Sequence, residues 1–333
     1  MPVDARQALL CWYVVDKRAL PWRAEGRARP DPYRIWLSEV MLQQTSVAAV
    51  KPYFERFIAR WPTLEALAAA PDADVMAAWA GLGYYARARN LLACARAVAA
   101  GHGGRFPDDE AALLRLPGIG AYTAAAIAAI AFGRRAVVVD GNVERVIARL
   151  HALAEPLPGA RGRIRELVDT MTPARGAGDF AQAMMDLGAT ICTPRNPDCG
   201  RCPVRAFCAS HAEGEPERYP VKAPKAARPR REGVAYWLEH DGHVHLVRRP
   251  PRGLLGGMLA LPTGDPPADT AWRDAGAVEH VFTHFALTMR LKKGEATERC
   301  EGIWWPIERI GEAGLPTLFA KLAARGAAWR QAA

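Results

Sequence analysis

The segment Leu116-Pro117-Gly118-Ile119-Gly120-Ala121-Tyr122, running on through alanine and isoleucine to Phe132-Gly133 and then to Val137-Val138-Val139-Asp140-Gly141-Asn142, decides how this chain is read. Two glycines two positions apart free the backbone and leave no side chain in the way, so 116–120 predicts a tight turn. Tyr122 to Phe132 predicts a buried helix that Gly133 stops. The unpaired amides at the start of that helix face the turn and can receive an anion, and a phosphodiester is one such anion. Val143, Val146, Ile147 and Leu150 then recur at helical spacing, which puts Asp140 at a helix start. An ordinary turn explains the glycines alone, and an N-cap explains Asp140 alone. Their order is what matters, because it sets a carboxylate close behind an anion-binding hairpin.

The chain has 333 residues, half of them apolar, enough for two domains or three lobes. A formal charge of +9 favours a polyanionic partner. No apolar run reaches the roughly 20 residues that span a bilayer. Ala8 to Val15 is a short apolar stretch, but Asp16-Lys17-Arg18 follows it with no small-residue cleavage site, so an intracellular protein with no membrane partner is expected. To about Arg205, helical periodicity alternates with Gly/Pro punctuation at Trp61-Pro62, Pro71-Asp72, Gly101 to Gly104 and Pro156 to Gly162. Between Pro216 and Arg231 lie four prolines and six basic residues, a stiff linker that serves as a solvated tether or tracks phosphates. Beyond Gly233 the pattern turns to short β-prone runs, Val234–Leu238, Val244–Val247 and Phe285–Leu291. The expected organisation is a helical domain over 1–215, a linker over 216–232 and an α+β domain over 233–333.

Cys192, Cys199, Cys202 and Cys208 are separated by six, two and five residues. A zinc ribbon would need two C-x-x-C pairs, and this segment has one, so a single centre taking all four thiolates is the economical reading. Spacing alone leaves zinc and a cubane iron–sulfur cluster open. Arg195, Arg201 and Arg205 interleave the ligands and would offer phosphates a basic edge. The other three, Cys11, Cys94 and Cys300, read as small buried hydrophobes.

Hairpin, Asp140 and cysteine loop, in this order, resemble the helix-hairpin-helix DNA glycosylases that carry a [4Fe-4S] cluster, the group that includes endonuclease III. The resemblance covers about the first 210 residues. Within that group, Leu20-Pro21-Trp22-Arg23, Ser38-Glu39-Val40-Met41-Leu42-Gln43-Gln44-Thr45 and Gly81-Leu82-Gly83-Tyr84-Tyr85-Ala86-Arg87-Ala88 most resemble the A/G-specific adenine glycosylases, the MutY family. The resemblance implies a mainly α, two-lobed domain, with a six-helix lobe, a cluster-bearing lobe and DNA in the cleft between them. It implies a monomer that removes adenine mispaired with 8-oxoguanine or guanine in double-stranded DNA.

Glycosidic cleavage needs a proton for a poor leaving group and stabilisation of an oxocarbenium-like sugar, which two carboxyls in different environments supply. Glu39 lies among Ile35, Trp36, Leu37, Val40, Met41 and Leu42, where burial would raise its pKa. By resemblance, Glu39 protonates adenine and then activates water, Asp140 stabilises the sugar cation, and Asn142 and Tyr122 support that step. Gln44 would fill the gap left by the extruded base, Leu82 and Tyr84 would act near the opposite base, Gly118 and Gly120 would hold phosphate, and Arg18, Leu20 and Trp22 would line the adenine pocket. Bifunctional relatives carry a Schiff-base lysine where this chain has Tyr122, and no lysine occurs between Lys51 and Lys222, so a β-lyase step is not expected.

Arg249 to Met258 and Phe282-Thr283-His284 resemble the Nudix-like domain with which these enzymes recognise 8-oxoguanine. Thr283 stands where the family usually has Ser, and Leu259 and Leu261 where it usually has aromatics. No Glu-rich metal box follows the glycine-rich stretch from Gly253 to Gly264, so diphosphate hydrolysis is not expected.

Overall fold

A computed structural model describes residues 4–24, 30–224, 228–250, 253–282 and 284–329. The chain divides into two compact units, 1–224 and 225–333. In the first, the helices are α1 (Ala5–Asp16), α2 (Pro32–Leu42), α3 (Val47–Arg60), α4 (Leu64–Ala68), α5 (Asp72–Trp79), α6 (Ala86–Gly101), α7 (Glu110–Leu114), α8 (Ala121–Ile130), α9 (Gly141–Leu150), α10 (Arg161–Met171), α11 (Ala177–Thr190) and α12 (Ala209–Ala212). Among the described residues, no helix is long and apolar enough to cross a membrane.

Two cores organise these helices. Trp36, Phe54, Phe57, Trp79, Leu91 and Ile127 belong to one, built on α2–α8. Leu9 and Tyr13 of α1 join Val143, Ile147, Ile164, Phe180 and Leu187 in the other, so the chain's first helix packs with elements more than 120 residues later. Burying each such side chain contributes about 1.5–3 kcal/mol. Side chains cap several of these helices: Asp31 accepts from Tyr33 N, Ser46 from Ala49 N, and Asp140 from Val143 N. The alanine-rich α8 is buried along its length from Thr123 to Ile130, as an all-apolar helix must be. Gly133, at φ 67°, closes it, and the amides of Gly133 and Arg134 bond back to Ala129 O and Ala128 O.

The stretch read from sequence as a linker is in part packed structure. Pro216–Arg218 forms a 3-10 turn, Tyr219 is buried with its carbonyl accepting from Arg149 Nε at 3.0 Å, and Lys222 bridges Leu157. Tyr219 supplies an apolar ring and a carbonyl for a buried guanidinium, which a solvated tether would lack.

The second unit is a six-stranded sheet with strands β1 (Arg230–His240), β2 (His243–Arg248), β3 (Leu259–Ala260), β4 (Arg273–Val281), β5 (Ala286–Glu295) and β6 (Ile303–Pro306), and a helix α13 (Thr317–Ala328). The order is β3-β2-β1-β5-β4, β6 pairs β2, and β1 and β5 run parallel over ten residues from Arg230↔Ala286 to Glu239↔Glu295. Trp237, Leu246, Leu291, Phe319 and Leu322 form its core. The β4–β5 turn brings Phe282 and Phe285 together, with ring centroids 4.8 Å apart, and Arg231 lies over Phe285. His284 is exposed, and Thr283 lies outside the described residues.

Candidate active site

α7, the turn through Gly118 and α8 form a helix–hairpin–helix. Gly118 has φ 73°, and a Cβ there would fall 2.6 Å from Asn90 Cβ, so the turn needs glycine on two counts. Gly120 is the N-cap of α8 and makes no side-chain cap bond, which leaves the helix's first amides open. The extended segment after Gly133 leads to Asp140. One Asp140 oxygen accepts from Val143 N at 2.7 Å and the other from Asn142 Nδ2 at 2.9 Å. Asp140 is therefore an N-cap and a site residue at once.

A cleft of about 850 Å³ gathers Arg18, Trp22, Glu39, Gln44, Gly118, Gly120, Tyr122, Asp140 and Asn142. Glu39, on the last turns of α2, is 6% exposed, and its Oε2 accepts from Tyr122 Oη at 2.7 Å. Burial pushes its carboxyl up to about 7; the Tyr122 hydroxyl opposes that rise and the Asp140 charge adds to it. One carboxyl thus holds a proton at neutral pH and feels the charge of the other. Burial also lifts the Tyr122 hydroxyl well above its usual range, so it acts as a donor.

Leu20 lines a neighbouring cleft that also includes Arg18, Trp22 and Arg23. Trp22 is buried, its ring edge-on to Phe54 with centroids 5.4 Å apart. Gln44 is exposed with φ 59°, and Tyr84 is 53% exposed with φ 48°. Leu82 is only 6% exposed and packs in the first core.

Sequence reading missed Asp186, Arg145 and Arg149. Asp186, fully buried on α11, accepts from Arg18 Nε at 2.6 Å, from the Arg18 amide at 3.0 Å, and from both terminal nitrogens of Arg23 at 2.6 and 2.7 Å. An acid inside Met184-Met185-Asp186-Leu187 was the only local signal. Arg145 donates to Asn142 Oδ1 at 2.9 Å, Gly188 O at 2.7 Å and Cys192 O at 2.7 Å. Gly188 lets α11 come this close, since a Cβ there would fall 2.6 Å from Asn142 Cβ.

At the far end of α9, the buried Arg149 donates to Cys192 Sγ at 3.3 Å, Thr193 O at 2.7 Å and Pro194 O at 3.0 Å. Cys192, Cys199, Cys202 and Cys208 line one small cavity with Arg149 and Arg205. Burial, with the neighbouring thiols adding to it, pushes the Cys202 thiol up to about 11, so four thiolates gather there only around a cationic centre. Cys199 and Cys202 are held close by the turn in which the Cys202 amide donates to Cys199 O at 3.3 Å. The donor set fits an iron–sulfur cluster, which would supply charge compensation and a covalent brace for the loop. Of the other cysteines, Cys94 is buried as expected, but Cys11 is exposed and Cys300 half-buried, because Cys11 falls on the outward face of α1.

Comparison with known proteins agrees with this geometry. Residues 37–168 match the HhH-GPD superfamily of base excision DNA repair proteins, 192–208 the iron–sulfur binding domain of endonuclease III, and 233–325 the NUDIX domain. The loop thus carries a [4Fe-4S] cluster. A thermostable thymine-DNA glycosylase structure superposes with a TM-score of 0.57 at 33% identity, covering 62% of this chain and 95% of that one. Adenine DNA glycosylase of Arabidopsis thaliana is 38% identical over 86% of the chain, which spans about half (52%) of that relative's length. Adenine DNA glycosylase of Mycobacterium tuberculosis is 44% identical over 68% of the chain and 72% of the relative. With the paired carboxyls, the hairpin and the cysteine loop in one helical unit, and relatives of this likeness, the chain belongs to the adenine DNA glycosylase family.

Proposed function

We propose that the protein excises adenine opposite 8-oxoguanine or guanine from double-stranded DNA, acting as a monomer inside the cell. The observation that carries this reading is the buried Glu39, hydrogen-bonded to Tyr122, in one cleft with Asp140 and the hairpin. Glu39 gives its proton to a ring nitrogen of adenine, and the bond from that base to C1′ of the sugar breaks with its electron pair leaving on the base. The Asp140 carboxylate, held by Val143 N and Asn142, stabilises the positive charge left on the sugar. Glu39, now ionised, takes a proton from water as the water oxygen bonds to C1′, which yields free adenine, an abasic site and a re-protonated acid. Asn142 orients Asp140, and Tyr122 orients Glu39.

Arg18, Leu20 and Trp22 would line the pocket of the extruded base, with Gln44 filling the vacated stack. Gly118, Gly120 and the open amides of α8 would hold a backbone phosphate. Tyr84 faces solvent and can reach the opposite base as the fold stands, whereas Leu82 would first have to leave its core position. Phe282, Thr283 and His284 would recognise 8-oxoguanine. Tyr122 stands where bifunctional relatives carry a Schiff-base lysine, and no lysine occurs between Lys51 and Lys222, so the strand stays intact until alkali is added.

Single-turnover nicking of duplexes holding A opposite 8-oxoguanine, A opposite T, or an oxidised pyrimidine opposite G, each with and without alkali, tests the reading. Alkali-dependent nicking at adenine in the first duplex alone is expected. Alkali-independent nicking at the pyrimidine, or a borohydride-trapped DNA adduct, would overturn it.

A further inference from the structure

Arg87, near the start of α6, is 8% exposed, and burial lowers its pKa to about 10 with no carboxylate offsetting it. Its guanidinium instead bonds to oxygens of two separate segments. Nη1 donates to Val40 O at 3.1 Å and Met41 O at 2.7 Å, two of the last carbonyls of α2, which no helical amide takes up. Nη2 donates to Leu82 O at 3.0 Å, Gly83 O at 3.3 Å and Thr45 Oγ1 at 3.0 Å. The negative end of α2 offsets the charge, and Trp79 and Tyr84 flank it, with ring centroids 5.3 and 5.4 Å from Cζ.

Each clamped segment carries an exposed side chain on left-handed backbone, Gln44 at φ 59° and Tyr84 at φ 48°. A non-glycine residue held there costs about 1–3 kcal/mol and persists only where its surroundings fix it. The two carbonyls gripped on α2 directly follow Glu39. A planar fork can hold both segments at once; an ammonium on the same stem is a point charge and cannot reproduce that geometry.

We propose that Arg87 is a positioning residue that holds Gln44 and Tyr84 as one rigid edge, in fixed register with the end of α2 that carries Glu39, so that the target base leaves the duplex in line with its acid. This rests on the reading of the cleft as an adenine glycosylase site. Arg87 touches no reacting atom and acts through the two segments it ties.

The test uses the full, cluster-loaded chain with Arg87→Lys, Arg87→Met and Thr45→Val. Extrusion is read from the fluorescence of 2-aminopurine replacing the target adenine, and chemistry from the single-turnover rate at saturating protein across pH. Melting temperature, cluster absorbance and affinity for undamaged duplex report folding. Both Arg87 variants should lose most of the fluorescence rise and about 100-fold in rate, the order of loss that a misplacement near 1 Å causes. Affinity for undamaged duplex and the pH of the descending limb should hold. Thr45→Val, which removes one of the five bonds, should fall between wild type and these variants. Rescue by lysine would overturn the proposal, since it would reduce Arg87 to a buried charge. So would losses that merely track a lowered melting temperature or bleached cluster in all three variants. A wild-type protein that neither extrudes 2-aminopurine nor nicks at adenine would instead refute the underlying reading.

Discussion

Glu39 and Asp186 are sealed within the same helical unit, 6% and 0% exposed, yet the surrounding groups drive their protonation in opposite directions. Burial pushes both carboxyls up. At Glu39 the Tyr122 hydroxyl and, less strongly, the Arg23 charge oppose it while the Asp140 charge adds to it, and the group settles at about 7. At Asp186 the hydrogen bonds and charge of Arg23, and then those of Arg18, overcome burial and hold the carboxyl below its ordinary range. Burial therefore fixes neither charge nor role; the partners do. One acid keeps a transferable proton, while the other is an anion anchoring two arginines, Arg18 and Arg23, that both line the cleft.

The largest effect should separate the two as a reacting group and a scaffold. Glu39→Gln preserves shape and removes the proton, and its single-turnover excision rate should fall by about 10⁴, the upper range for a lost general acid and base, while duplex binding stays near wild type. Retained turnover would remove Glu39 from the chemistry. In the native protein the rate should decline as pH rises through about 7, because in the proposed reaction Glu39 enters protonated.

Thermal melting should then show opposite signs for the pair. Asp186→Asn removes the buried anion that two part-buried guanidinium groups share and should cost about 3 kcal/mol, the low end of the penalty for breaking a buried pair from one side. Because the folded pKa of Asp186 lies below its ordinary value, its stabilisation is present above that value and lost only as pH falls through the folded pKa. Glu39 behaves in reverse. Its folded pKa is raised, so native stability is unaffected at acid pH and erodes as pH climbs from about 4.5 to about 7. Glu39→Gln should accordingly stabilise the fold above neutrality, by up to about 3 kcal/mol, and change little near pH 4. Equal shifts for both variants, or a Glu39→Gln gain at acid pH, would break the contrast.

The same two residues show what was legible in the sequence. Asp140 follows a glycine hairpin in the chain and was visible by adjacency, whereas Glu39 sits in an apolar run but was singled out by the family resemblance, since its spacing from Gln43 also suits a solvated helix face. The four cysteines lie within one loop and needed no tertiary information. Asp186 draws its partners from 163 and 168 residues away, and no window of sequence contains that network. Arg149 was hidden in the same way, reaching loop carbonyls 44 and 45 positions on. Leu82 was placed near the opposite base by the family resemblance alone, and its side chain packs in the first core. In the sheet unit, β4 escaped notice because it alternates charged, exposed residues and carries a register shift between Asp274 and Ala277, whereas the more apolar β1, β2 and β5 were visible.

The finest test of the comparison lies at Tyr122, the one hydrogen-bond donor that opposes burial at Glu39. Asp186 would lose most of its anionic preference only by losing an arginine, but the largest influence opposing burial at Glu39 is a neutral hydroxyl. Tyr122→Phe removes that donor and leaves the ring. A hydrogen bond to a charged group contributes about 1.5–3 kcal/mol, and one pKa unit corresponds to about 1.4 kcal/mol, so the descending limb of the rate profile should move up by about one unit. At neutral pH the variant keeps its acid protonated and should lose less rate than Glu39→Gln, the remaining loss coming from a less firmly oriented carboxyl. A limb that stays at about 7 would mean that burial and the Asp140 charge set the proton affinity of Glu39 by themselves, and that Tyr122 serves orientation alone.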